Sequence, residues 1–177
     1  MRATTRSDAT RERLLDATRE VLARGGLRKL HFSAVAAEAG VSRPTVYAYF
    51  PTKDDLLLGL AAHEKARFNR GLEEALRELR GAARLDRALT FMIEFQRDYP
   101  IRRLVLIEPE FMLDQLERSL RSMSAALAPL FEEATALDSA AASDLADLAV
   151  RTAMSHFLIP RDEAQLIREL RRIAGLR

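Results

Sequence analysis

The chain of 177 residues contains no cysteine, which rules out disulfides and thiolate metal sites and suits an intracellular setting. No run approaches the roughly eighteen apolar residues of a membrane span, and Met1 to Asp8 does not read as a signal peptide. Alternation of apolar and polar residues never persists with β-branched side chains, so no strand is expected. The marks of an enzyme are missing too. His63 and Glu64 are not followed by a second histidine four residues on, because Arg67 stands there, so the zinc-protease pattern fails. There is no glycine-rich phosphate loop, no serine-centred elbow and no convincing carboxylate pair. No enzymatic activity, cofactor or metal is expected, and the cytoplasm is the expected location.

What is present is a globular composition, 48% apolar and 31% charged, long enough for one large domain or two small ones. The net charge of +2 says nothing about partners, but its distribution is uneven. Residues 1–53 hold ten Lys/Arg against five Asp/Glu, and residues 54–177 hold eighteen against twenty-one. A basic first third suits contact with a polyanion. Charge alone does not separate that reading from ordinary variation along a surface.

Met1 to Thr10, with Arg2 and Arg6, reads as a flexible arm. From Arg11, Leu14, Thr18, Val21 and Leu22 recur at helical spacing, and Arg24, Gly25 and Gly26 end that helix. A short helix follows from about Ser33 to Ala39, stopped by Gly40. Val41 to Phe50 (VSRPTVYAYF) is a second short helix, with Ser42 as N-cap and Pro44 in its first turn. Projected at about 100° per residue, Val46 and Phe50 share an inner face. Pro44 and Ala48 centre the opposite one, beside Thr45 and Tyr47. Thr52 caps a long helix to about Arg80, which leaves no flexible linker after the first domain. Gly81 breaks it. Leu85 to Tyr99 is apolar on most sides, as a buried central helix should be, and Pro100 ends it. A short apolar piece spans Ile101 to Ile107. Glu110 to Phe131 is helical, with Pro129 expected to kink or shorten its last turn. Ala134 to Ser143 reads as a loop, and helices from Asp144 to Ile159 and Glu163 to Ile173 flank Pro160. The expectation is an all-α chain of nine helices.

With Ala39-Gly40-Val41-Ser42, then Thr45 and Tyr47, then Phe50, then Lys53 opening the next helix, the chain resembles the TetR/AcrR family of bacterial transcriptional repressors. The motif covers about residues 8–60; the rest agrees in architecture only. The resemblance implies an N-terminal helix-turn-helix DNA-binding domain over 1–53 and a C-terminal helical effector-binding and dimerisation domain over 54–177. It implies a homodimeric repressor on a near-palindromic double-stranded DNA operator, released by a small, apolar effector. By the same resemblance the helix from Ser42 to Phe50 enters the major groove. Arg43, Pro44, Thr45 and Ala48 then face bases, while Tyr47, Tyr49 and Lys53 hold phosphates. The chemistry agrees, since Arg43 can fork onto guanine and Pro44 or Thr45 can pack on a thymine methyl. One position departs from the family: His31 stands where Thr or Ser usually caps the second helix and touches phosphate. Either Ser33 caps a shorter helix, or His31 contacts the DNA backbone itself.

For the effector, Phe91, Met92, Phe95, Phe111, Met112 and Met123 are candidate pocket residues, with Gln96, Gln115 and His156 as polar groups beside them. An ordinary core is the competing reading of that stripe. For dimerisation the candidates are Ala146, Ala149 and Ala153, with Leu166 and Leu170, against the alternative that they close the subunit's own core. A helical scaffold whose first domain only packs is the rival from another functional class.

Overall fold

The computed structural model describes residues 6–97, 99, 104–159 and 162–176. The expectations for Arg2, Pro100, the start of the apolar piece at Ile101, and Pro160 fall outside these residues. Among the described residues there are nine helices and no strand: α1 (Arg6–Lys29), α2 (Phe32–Ala39), α3 (Arg43–Tyr49), α4 (Lys53–Leu76), α5 (Gly81–Arg97), α6 (Leu104–Ile107), α7 (Pro109–Thr135), α8 (Ser139–Leu158) and α9 (Glu163–Ile173). The chain divides into two compact units, residues 1–67 with 100–112 and residues 68–99 with 113–177. No helix among the described residues is long and apolar enough to cross a membrane.

The first unit is built on α1. Its buried face, Leu14, Leu15, Thr18, Val21 and Leu22, receives α2 and α6, and α2 in turn receives α3. The helix begins at Arg6, inside the stretch to Thr10 that reads from sequence as an arm. Its first turn is polar and exposed, so apolar periodicity is blind to it, although extending an existing helix costs little. The break at the paired glycines is real: Gly26 has φ 65° and ψ −169°, and one further turn carries the chain to Lys29. Thr52 caps α4 reciprocally with Asp55. The Thr52 Oγ accepts from the Asp55 N–H at 3.1 Å, and the Asp55 carboxylate accepts from the Thr52 N–H at 3.1 Å.

Charge is buried where α1 meets α4. Glu64 is 7% exposed and accepts from Arg19 at 3.3 Å and from Arg67 at 3.2 Å. Arg19 also reaches Asp16 at 3.2 Å, and the same carboxylate lies 3.2 Å from His63 Nε2. Burial alone would lower the pKa of the Arg19 guanidinium; the carboxylates of Glu64 and Asp16 outweigh it and hold the group above its ordinary value.

In the second unit α5 runs through the core, with Leu85, Ala88, Leu89, Met92 and Ile93 at most 1% exposed, and packs on α8 and α9. Asp86 of α5 accepts a forked pair from Arg171 of α9 at 2.6 and 2.9 Å. Several boundaries differ from expectation. α4 ends at Leu76, before Arg80, and α5 already begins at Gly81, whose N–H donates to Glu133 at 2.7 Å. α7 continues past Pro129 to Thr135. The missing N–H costs roughly 3 kcal/mol in a helix interior, but Leu130 and Phe131 beyond it are 6% and 0% exposed, and their burial holds the turn. The expected loop from Ala134 to Ser143 shrinks to residues 136–138. Asp138 caps α8 by accepting from Ala141 N–H at 2.9 Å, and the alanines that follow are strong helix formers.

One close approach in the first unit is directly testable. A methyl group on Gly59 would stand 2.7 Å from the Phe50 ring and 3.3 Å from Leu15, and Phe50 is 2% exposed. Gly to Ala in a helix normally gains about 1 kcal/mol, whereas overpacking costs about 1–3 kcal/mol. The ring has nowhere to go, so Gly59→Ala is expected to lower the urea midpoint of unfolding. A raised midpoint would show that Phe50 yields.

Candidate nucleic-acid interface

The turn between the two short helices is made by backbone chemistry. Gly40 adopts φ 63°, ψ 38° at the end of α2, a left-handed conformation that costs glycine nothing. Its N–H and that of Val41 donate to the carbonyls of Ala37 and Ala36 at 3.3 and 2.9 Å. At the other end of α2 the expectation that Ser33 caps a shorter helix is overturned. The helix starts at Phe32, one residue before the expected Ser33, and its cap is His31. The ring Nδ1 accepts from the Ala34 N–H at 3.1 Å and lies 2.9 Å from the Ser33 hydroxyl. Because Nδ1 accepts, the proton of the neutral ring sits on Nε2. His31 is exposed, and so is Ser33.

α3 is capped as expected. Ser42 Oγ accepts from the Thr45 N–H at 3.3 Å and lies 2.8 Å from the Thr45 hydroxyl, and Pro44 sits in the first turn. Val46 is 0% exposed and Phe50 2%, which pins the inner face. Ser42, Arg43, Pro44, Tyr47 and Ala48 are exposed, and Thr45 and Tyr49 are half-buried.

The outward side chains already have partners. Arg43 donates to the Tyr47 hydroxyl at 3.0 Å and lies over its ring, 5.4 Å from the centroid. Tyr47 is braced edge-on by Phe32, with centroids 4.5 Å apart. The Tyr49 hydroxyl is 3.3 Å from Ser7 Oγ. Lys53 Nζ donates to the Leu27 carbonyl at 2.7 Å, satisfying backbone just past the Gly26 break. A groove of about 450 Å³ is lined by Val21, Arg24, Lys29, His31, Ala34, Ala37 and Glu38, with Arg24 and Glu38 paired. Sequence reasoning misses Ser7, Phe32, Arg24 and Lys29. The two cations are visible as charge close before the cap, but Ser7 and Phe32 contribute only through tertiary contacts.

Candidates for the effector and the dimer fall elsewhere. Phe91 and Phe95 cluster with Phe68 in the second unit, at centroid separations of 5.5 and 5.2 Å from it. Met92, Met123 and His156 are buried there, at 0%, 8% and 7% exposure, and Gln115 is half-buried. Phe111 and Met112 belong to the first unit. Ala146, Ala149, Ala153, Leu166 and Leu170 are buried in the core of a single chain, leaving Leu148 as a large apolar residue on the outer face of α8.

A short helix, a glycine turn and a second short helix with a fixed inner face and a polar outer one define a helix-turn-helix DNA-binding domain. The chain matches, over residues 14–60, the family described as bacterial regulatory proteins, tetR family. It is 37% identical over 108 residues to the HTH-type transcriptional repressor LfrR of Mycolicibacterium smegmatis, covering 60% of this chain and 54% of that protein. It is 35% identical over 65 residues to the fatty acid metabolism regulator protein of Bacillus subtilis, covering 37% of this chain and 34% of that one. The matches thus span about half of the first relative and a third of the second. The fold extends further: the fatty acid degradation regulator FadR of Bacillus halodurans superposes with a TM-score of 0.70 at 19% identity, over 93% of this chain and 94% of that one.

The histidine cap yields a stability prediction. His31→Ala should cost about 1 kcal/mol by leaving the Ala34 N–H without its acceptor, and His31→Asn, a better cap, should restore or exceed the original stability. Equal unfolding midpoints for all three would show that the cap contributes nothing.

Proposed function

We propose that this protein is a homodimeric repressor acting in the cytoplasm on a near-palindromic operator, with DNA contact through residues 1–53 and effector binding and dimerisation through residues 54–177. The observation that carries the reading is Arg43, held on Tyr47 at the exposed face of a helix whose other face is locked by Val46 and Phe50. A guanidinium so presented suits the O6 and N7 acceptors of guanine, with Pro44, Thr45 and Ala48 beside it. Tyr47, Tyr49, Lys53 and His31 offer hydroxyl, ammonium and imidazole donors for phosphate oxygens, and Ser42 and Ser33 flank them.

Dimerisation follows from length: a recognition helix of seven residues reads too few bases for a specific site. Because Ala146, Ala149, Ala153, Leu166 and Leu170 are buried within one chain, the paired surface is assigned to the outer faces of α8 and α9, where Leu148 is 48% exposed. The effector is a small molecule with an apolar body, held near Phe91, Met92, Phe95 and Met123. Two relatives named for fatty acid metabolism and degradation fit that chemistry. Its binding releases DNA only if it favours the DNA-incompetent state; equal affinity for both states would release nothing. Movement of α4, continuous from Lys53 to Leu76, is the proposed transmission.

A gel shift with DNA from the region upstream of its own gene separates this reading from a helical scaffold, which would give none. Arg43→Ala should relax sequence preference and cost about 1–3 kcal/mol for each bidentate bond to a base that it removes; an unchanged preference with uniformly weaker binding would remove its base-reading role. Lys53→Met should reduce the slope of log affinity against log salt by about 0.9 for each phosphate that the lysine no longer neutralises. An identical slope would mean that Lys53 serves only the Leu27 carbonyl.

A further inference from the structure

Gln96 is a buried polar side chain with no structural task. It lies one turn beyond Met92 and Ile93, on the face of α5 that carries Leu85 and Leu89. Those four are at most 1% exposed and Gln96 is 6% exposed. Among the described residues neither its Oε1 nor its Nε2 has a hydrogen-bond partner, and neither atom is open to solvent. A primary amide carries an acceptor and two donors, and buried polar groups are almost always paired, because desolvation without compensation is costly. A methionine or leucine would fill the same place without that penalty, so packing gives no reason for glutamine. Beside this face, Phe91 and Phe95 are partly buried against the same core and join Phe68 in the aromatic cluster.

We infer that Gln96 is the polar recognition point of the effector, and that the effector is an uncharged molecule whose apolar body ends in a group that both donates and accepts hydrogen bonds, such as a primary amide. The head is uncharged because the buried face of α5 carries no cation, and a carboxylate placed there would lose its hydration for nothing. It both donates and accepts because both ends of the glutamine amide are unmet. The site is closed in the free chain, with the amide out of reach of water. The orphaned amide penalises that closed arrangement, and a ligand that pairs both atoms favours an opened one. This is the differential affinity that an effector requires. The inference rests on the effector-responsive reading above and names the ligand class of that site.

Octanamide and 2-nonanone share the same alkyl chain and carbonyl, and differ in an NH₂ against a CH₃. Wild type, Gln96→Met and Gln96→Leu are compared by thermal unfolding with each compound, and by gel shift on the upstream DNA. Octanamide is expected to raise the wild-type melting temperature by about 2–4 °C, the shift of a modest stabilisation in a chain of this size, and 2-nonanone by less than half as much. Both variants should melt above wild type without ligand and respond equally to the two compounds. Equal wild-type responses, no wild-type response, or an undiminished octanamide preference in the variants would each overturn the inference. Absence of DNA binding by ligand-free wild type overturns the regulator reading instead, and leaves a Gln96-dependent octanamide preference standing.

Discussion

The helix proposed to read DNA cannot hold itself in place. α3 has seven residues, of which only Val46 is buried, and helices this short are marginal in water. Its position is therefore borrowed from its surroundings. Ser42 closes its start, Phe50 ends it by turning a ring onto Gly59, and Phe32 props Tyr47 from α2. The absence of a side chain at Gly59 is what lets that ring approach α4 so closely. A larger residue there would move Phe50, and with it the face that carries Arg43. The outward chemistry thus depends on an inward contact that never meets solvent.

The Arg19 and Glu64 cluster serves the same end by different means. Burying an ion pair rarely adds net stability, since desolvation offsets the attraction. Its strength lies in geometry: Glu64 must meet Arg19 and Arg67 at once, and Asp16 must meet Arg19 and His63. An apolar contact would tolerate sliding along the helix, whereas these pairs fix the register of α1 on α4. Since α1 carries α2, and α2 carries α3, that register is inherited by the whole helix-turn-helix.

Local chemistry is legible in the sequence. Ser42, Thr52 and Gly40 announce caps and turns through their own side chains or lack of one, and the apolar stripes of α5 and α9 state which faces are buried. What depends on distant partners is not legible. Nothing near Pro129 tells that Phe131 will be buried deeply enough to carry α7 onward, and alanine-rich residues 139–143 read as a loop only when their propensity is discounted. His31 looks like a departure from the family pattern because imidazole is an uncommon cap, although one ring nitrogen can accept as a hydroxyl does. Among the proposed DNA contacts, Arg43, Tyr47 and Lys53 stand out by type and spacing. That Arg43 leans on Tyr47 can be read from their separation of four residues; that Lys53 reaches Leu27, twenty-six residues back, cannot.

Those internal partners bear on the energetics of the proposed complex. Lys53 already satisfies a carbonyl, Tyr49 a hydroxyl and Arg43 a phenol. Meeting DNA therefore exchanges hydrogen bonds and creates few new ones, and each exchange contributes less than the same bond made by a free side chain. What remains undiminished is counterion release, which depends on cationic charge near phosphate whatever the cation touched before. Binding of this kind is strongly salt-dependent, and its discrimination rests on the few groups whose exchange partner is a particular base. In the proposed complex that group is Arg43, because its fork matches guanine better than it matches a single tyrosine oxygen. The free-state contact holds the guanidinium extended along the helix, ready for that exchange, and so reduces the side-chain entropy that base recognition would otherwise have to overcome.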